Sequence, residues 1–158
     1  HLNHSESGFF VQGSRVFLNK EKTENILNSD NTNISFFSKG ISNRKNSIHS
    51  VFLAKTFSKN KNVLGGIKTC NLAFHKSDAI AVNGFNNDIE GWGREDTEFI
   101  VRLFNNGIKR KTVRFNMIQF HLWHQNFSRE SLKKNNLILN FSIKEKSTWC
   151  ENGIDKYL

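Results

Sequence analysis

The sequence predicts a mixed α/β fold in a single compact domain, on three observations. A chain of 158 residues that is 37% hydrophobic can bury one sizeable core but not two. Short apolar runs bounded by glycine, within residues 8–18, 65–74 and 113–120, have the length and composition of strands. Between them lie stretches whose apolar residues recur at helical spacing, within residues 20–27, 46–58, 95–104 and from Ser128 onward.

The elements follow in order. Gly8 to Leu18 reads as strand material interrupted at Gly13, as at a bulge or bend. A short helix fits Lys20 to Leu27, and Asn28-Ser29-Asp30-Asn31-Thr32-Asn33 reads as a polar loop. A second helix is expected from about Asn46 to Ser58, with Ile48, Val51, Phe52 and Lys55 on one face and Arg44, Lys45 and Lys59 near its ends. Its basic residues fit a solvated face, or contact with a phosphate or an anionic membrane surface. Gly65-Gly66 leads into a short strand ending near Phe74, as a plain turn or where backbone passes close to a ligand. Ser77 to Ile80 makes one helical turn, stopped by Asn83-Gly84. Glu95 starts a helix carrying Phe99, Ile100, Leu103 and Phe104, with Gly107 as its stop. Val113 to Phe120 reads as a strand, with Val113, Phe115 and Met117 on the face that ends in Gln119 and His121. Residues 126–158 form a C-terminal helical segment, with Leu132, Leu137, Ile138 and Phe141 available for packing.

Composition narrows the function. Cys70 and Cys150 are the only cysteines, far apart and outside any Cys/His spacing, which argues against a disulfide framework or a structural zinc and fits a reducing compartment. No apolar run approaches the ~20 residues of a membrane span. The net charge of +9 is unevenly spread: residues 81–103 hold 2 Lys/Arg against 5 Asp/Glu, while 1–80 hold 11 against 5 and 104–158 hold 10 against 4. A carboxylate island inside a basic chain would repel nucleic acid, and no nucleic-acid-binding motif accompanies the charge.

That island coincides with Asn83-Gly84-Phe85, Gly91-Trp92-Gly93-Arg94-Glu95-Asp96 and then Phe99 and Arg102-Leu103. Acidic residues in a first helical turn can simply complement the helix dipole, at ~0.3–1 kcal/mol each. An indole between two glycines is poorly placed to fill a core and well placed as a platform for the apolar face of a sugar ring. Paired with Glu95 and Asp96, it points to carbohydrate. His121-Leu122-Trp123-His124 follows the last expected strand, where two histidines three apart are either unrelated surface residues or metal ligands.

These residues resemble the acceptor and catalytic segment of inverting glycosyltransferases of families 2 and 7, including bacterial chondroitin-polymerase-type enzymes and animal β-1,4-galactosyltransferases. The broader likeness runs from about Gly8 to Glu130. It implies the C-terminal, acceptor-side half of a GT-A fold, with residues 1–125 as the acceptor-side part of the catalytic domain. In that fold the nucleotide-binding half ends in an Asp-x-Asp metal motif. No Asp-x-Asp occurs here, and the chain opens on His1, so the donor half is expected to lie outside it and the fragment alone to be inactive and prone to self-association.

The resemblance implies transfer of a hexose from a nucleotide sugar, with UDP as the expected nucleotide, to a glycan acceptor in bacterial surface-polysaccharide synthesis. That setting is cytoplasmic, at or near the inner face of the membrane. Asp96 corresponds to the general base that takes the acceptor proton. Trp92, Glu95 and Arg94 would contact the acceptor, Gly65, Gly66 and Asn71 would form a donor-side loop, and His121 or His124 would bind Mn²⁺ to offset leaving-group charge. The family often has glycine where Arg94 stands, so the acceptor's identity is open. A non-catalytic carbohydrate- or polyanion-binding module using Trp92 and the basic flanks is the alternative from another class.

Overall fold

The computed structural model describes residues 1–29 and 32–158, so Asp30 and Asn31 of the expected polar loop lie outside the described residues. The fold is mixed α/β, as expected, with two mixed sheets and flanking helices. It is consistent with part of a GT-A-like fold.

The bend at Gly13 does more than interrupt a strand. It separates β1 (Phe9–Gln12) from β2 (Ser14–Leu18), and the two enter different sheets. Near β1, the chain forms β4 (Lys59–Asn60), β5 (Leu72–Ala73) and β6 (Lys109–Thr112), giving the order β4-β6-β1-β5. Around β2 lie β3 (Ile41–Ser42) and β7 (Ile118–His121), in the order β3-β2-β7. Strands β1 and β6 are parallel, with Phe10 opposite Arg110. Their continuations β2 and β7 are parallel too, with Val16 opposite Phe120.

Gly13 is required here because a side chain has no room: a Cβ would lie 2.6 Å from the Met117 carbonyl oxygen and overlap the Asn71 amide. Asn71 fills the seam between the sheets. Its Nδ2 donates to the carbonyls of Ser14 (2.7 Å) and Met117 (3.1 Å), and its backbone carbonyl accepts from Gly13 N–H (2.9 Å).

Helix α1 (Lys20–Leu27) forms where expected, capped by Asn19, whose side chain accepts from Lys22 N–H at 2.8 Å. α3 (Lys76–Ala81) ends at Asn83 and Gly84, both with positive φ. α4 (Glu95–Asn105) stops before Gly107 at φ 82°. Phe10 of β1 packs with Val82, Phe99, Ile100 and Leu103 in a core between the four-stranded sheet and helices α3 and α4. A smaller cluster of Val16, Leu18 and Ile41, joined by Ile26, Ile34 and Phe120, lies on the second sheet beneath α1.

Three expectations need correction. The helix expected over 46–58 is only α2 (Val51–Phe57), preceded by a 3₁₀ turn at Arg44–Ser47, because the Ser50 hydroxyl accepts from Leu53 N–H and fixes a new start. Its Val51, Phe52 and Lys55 face solvent, and Ala54 is the buried residue. Val113 to Phe120 is not one strand: Phe115 takes φ 62°, a left-handed conformation that breaks the extended run, and the paired segments end at Thr112 and resume at Ile118. The final helix α5 (Leu132–Lys144) starts later than Ser128 and buries Asn135, Leu139 and Ser142, leaving Leu137 and Phe141 exposed.

α5 docks through polar anchors instead. Glu98 and Arg102 on α4 are fully buried, joined by two hydrogen bonds of 2.9 and 2.7 Å. Ser142 Oγ donates to Glu98 Oε1 at 2.9 Å, and the Arg102 guanidinium also donates to the Val82 carbonyl. The remainder of the tail returns to Asn83, whose Nδ2 donates to the Cys150 carbonyl (2.7 Å) and to Asp155 Oδ1 (2.8 Å).

Candidate functional site

A cavity of about 1070 Å³ opens where the two sheets diverge. One wall is the Gly91–Thr97 turn and the start of α4; the other is the end of β7 and the segment after it, with Lys68, Thr69 and Cys70 at the base of the seam. It holds Trp92, Arg94, Glu95, Asp96, His121 and His124 together. Residues thus meet that lie about 25 positions apart in the chain.

The turn before α4 is shaped by its glycines. Gly91 and Gly93 have φ 68° and 101°, and Cβ atoms there would press on Ser131 and Leu132 of the α5 approach at 3.0 and 3.2 Å. Between them Trp92 is held out, 41% exposed, into the cavity. Asn135, fully buried on α5, donates from Nδ2 to the carbonyls of Glu90 (3.0 Å) and Gly93 (2.9 Å) and so fixes both ends of the turn. Arg94 has φ 85°, in the left-handed region that glycine adopts without strain. A non-glycine residue there costs on the order of 1–2 kcal/mol. Its Nε donates to Asn136 Oδ1 at 2.6 Å.

Asp96 is gripped from across the cavity floor. Thr69 N–H donates to Oδ2 at 3.0 Å, and the Thr69 hydroxyl donates to Oδ1. Both carboxylate oxygens are therefore oriented, and each retains accepting capacity. Glu95 Oε2 is shut off from solvent without a hydrogen-bond partner. An unpartnered buried oxygen is costly.

On the far wall, His121 and His124 bring their Nε2 atoms to 3.1 Å. Phe17 meets the His121 ring edge-on at 5.3 Å, and the Trp123 N–H donates to Thr23 Oγ1 at 2.9 Å, tying the segment to α1. The His124 Nδ1 lies 3.0 Å from the Gln125 carbonyl, a contact that places a proton on Nδ1 and directs Nε2 toward His121. Burial, the Arg15 charge and His124 push the His121 pKa below its usual 6.5, keeping the imidazole neutral. Among the described residues no group of three or more His, Cys, Asp or Glu side chains converges as a complete metal site. The two imidazoles fit a metal that takes its other ligands from elsewhere.

Gly65, Gly66 and Asn71 stand apart from this cavity. Gly66 and Asn71 border a second hollow of about 490 Å³ that adjoins the first, sharing Arg15, Phe17, Lys68 and Cys70 with it, and the Gly65 carbonyl accepts from Arg110 at 2.9 Å. Asn71 spends its amide on the two sheets.

Thr69, Asn135, Arg15 and Arg129 are site residues that sequence reasoning missed. Arg129 places its guanidinium 4.8 Å from the Trp92 ring centroid. Local spacing carries no sign of such partners.

Residues 51–125 match the family model described as the N-terminal domain of galactosyltransferase. The matched segment, which includes Trp92, Glu95, Asp96 and the histidine pair, is galactosyltransferase-like, and this supports glycosyltransferase activity as the general class. No curated protein and no solved structure matches the chain.

Proposed function

We propose that the chain is the acceptor-side part of an inverting hexosyltransferase that moves a sugar from a nucleotide donor, UDP-linked, to a glycan acceptor. The observation that carries this reading is one cavity lined by a half-exposed indole, two carboxylates and an imidazole pair. The acceptor ring stacks on Trp92, beside the Glu95 carboxylate. Asp96 accepts the proton of the attacking hydroxyl as the new bond to the anomeric carbon forms and the bond to the diphosphate oxygen breaks, inverting that carbon. Thr69 holds the Asp96 carboxylate in the orientation this step needs. His121 and His124 would hold a Mn²⁺ ion, which when bound offsets charge on the departing diphosphate.

Titrating the protein with Mn²⁺ while following the imidazole proton signals tests the metal assignment. Both rings are expected to broaden first. His121→Ala is expected to weaken binding more than His124→Ala, because Phe17 and the β7 backbone hold the His121 ring in place. Broadening centred on Asp88 or Glu90, with both histidines sharp, would place the metal elsewhere. For the transfer itself, the decisive assay uses a panel of nucleotide sugars with the Asp96→Asn protein as comparison. Saturable sugar binding at Trp92 with no transfer by any form, even when a donor-binding half is supplied, would instead favour a carbohydrate-binding module.

A further inference from the structure

We infer that helix α2 and the residues after it form a docking face for an anionic lipid bilayer, with Val51 and Phe52 entering the headgroup layer and the neighbouring lysines meeting lipid phosphates. The face lies outside the proposed transfer chemistry, since Val51, Phe52, Lys55 and Lys59 line neither hollow described above. α2 makes about two turns, and its buried residue is Ala54. Val51, Phe52, Lys55 and Thr56 share the outer side, where Phe52 is 77% and Val51 55% exposed. Phe57 turns the other way and meets Phe115 edge-on, with ring centroids 5.8 Å apart. Ser50 N–H donates to the Phe115 carbonyl at 2.8 Å, so the helix is held at its start as well. The outer side is thus presented by a fixed support.

Charge selects the occupant. Residues 31–77 carry eight Lys/Arg and no Asp or Glu. Lys55, Lys59 and Lys61 are exposed and form no ion pair among the described residues. Arg114, exposed on the loop beside Phe57, lies over the Phe115 ring at 5.2 Å and adds a fourth cation. Glu6, the carboxylate that reaches the adjoining strand β6, is taken up by Lys111 at 2.8 Å. A second copy of this face would set like charges against each other. A nucleic acid would use the cations and leave Val51 idle, since it has no ring to stack on a base. An anionic bilayer uses both: the acyl boundary takes the apolar side chains, and the phosphates take the ammonium groups at the ends of flexible stems.

The test is co-sedimentation of the full chain with phosphatidylcholine vesicles and with vesicles of equal parts phosphatidylcholine and phosphatidylglycerol. Binding is expected only to the second, and it should weaken as salt is raised. Phe52→Ala should lower the partition coefficient about tenfold, through lost apolar burial. Lys55→Gln and Lys59→Gln should each lower it about fivefold. Because these side chains are exposed, none of the three should shift the melting temperature. Phe141→Ala on α5 removes another outward ring, 63% exposed, and should leave vesicle binding unchanged. Heparin supplies anions without an apolar layer, so the lysine variants should weaken heparin binding and Phe52→Ala should not.

Equal binding to both kinds of vesicle, or to neither, would overturn the inference. Wild-type binding of Phe52→Ala to the anionic vesicles would overturn it too, and would leave α2 as a site for soluble polyanions such as nucleic acid. A loss of vesicle binding in Phe141→Ala with Phe52→Ala unaffected would put the membrane contact on α5 instead. None of these results bears on the cavity at Trp92, so the docking face and the transfer reading fail separately.

Discussion

Asp96→Asn is expected to reduce sugar transfer by ~10²–10⁴-fold, the usual range for loss of a positioned general base. On the proposed function the measurement pairs this chain with a donor-binding half, with donor saturating and acceptor varied. Asparagine preserves the shape of the side chain and can still accept from Thr69, so the turn and the start of α4 stay in place. What it cannot do is take the acceptor proton. The loss should therefore appear in kcat, with donor affinity nearly unchanged. Glu95→Gln should act mainly on the acceptor KM, because it weakens an orienting contact and spares the base. If the asparagine form kept more than about a tenth of the turnover, the loss would be smaller than any expected for a base, and Asp96 would only cap its helix.

Glu98→Ala is expected to be the most destabilising single substitution in the chain, by ~3–5 kcal/mol, because it strands a fully buried guanidinium. For a domain with ~5–15 kcal/mol of stability this is a large fraction. It also removes the acceptor for Ser142, so α5 loses a polar anchor on α4. Because Asn135 on α5 holds both ends of the Trp92 turn, the site should loosen before the fold melts. Urea unfolding followed by far-UV circular dichroism reads the first effect, and the Trp92 indole signal reads the second. A change below about 1 kcal/mol, the level of an exposed pair, would mean that water reaches this pair.

How far the sequence could be read depended on whether a signal was local. α4 was legible from end to end, since Phe99, Ile100 and Leu103 keep helical spacing and Gly107 ends the run. The same spacing misled at α2, where Val51 and Phe52 lie on a turn that faces solvent. It misled again at α5, whose buried residues include Asn135 and Ser142 and whose Leu137 and Phe141 are exposed. Alternation of apolar residues from Val113 to Met117 gave no warning of the left-handed Phe115. Glu98 shows the limit most sharply: read alone it complements a helix dipole, and only its burial against Arg102 and Ser142 reveals an anchor. In the site, Trp92, Glu95, Asp96 and the histidines were visible as a motif. Thr69, Arg129 and Asn135 were not, because each acts across a gap of about 27 to 45 residues that no spacing rule encodes.

The crossing at Gly13 has a mechanical consequence. Asp96 belongs to a helix seated on the four-stranded sheet, and His121 ends a strand of the other. The separation between Asp96 and the imidazole pair is therefore set by the dihedral angle between the two sheets. Two parallel pairs cross that seam, β1 into β2 at a single residue and β6 toward β7 through Val113–Met117, with the Asn71 amide pinning them together. The joint resembles a hinge with its pin in place, because no slack remains at Gly13 for even a methyl group. Misplacing reacting groups by ~1 Å can cost ~10²-fold in rate, so on the proposed function the aperture of the cleft would be a catalytic variable. Gly13 governs that aperture from the seam between the sheets, outside the lining of the cavity itself.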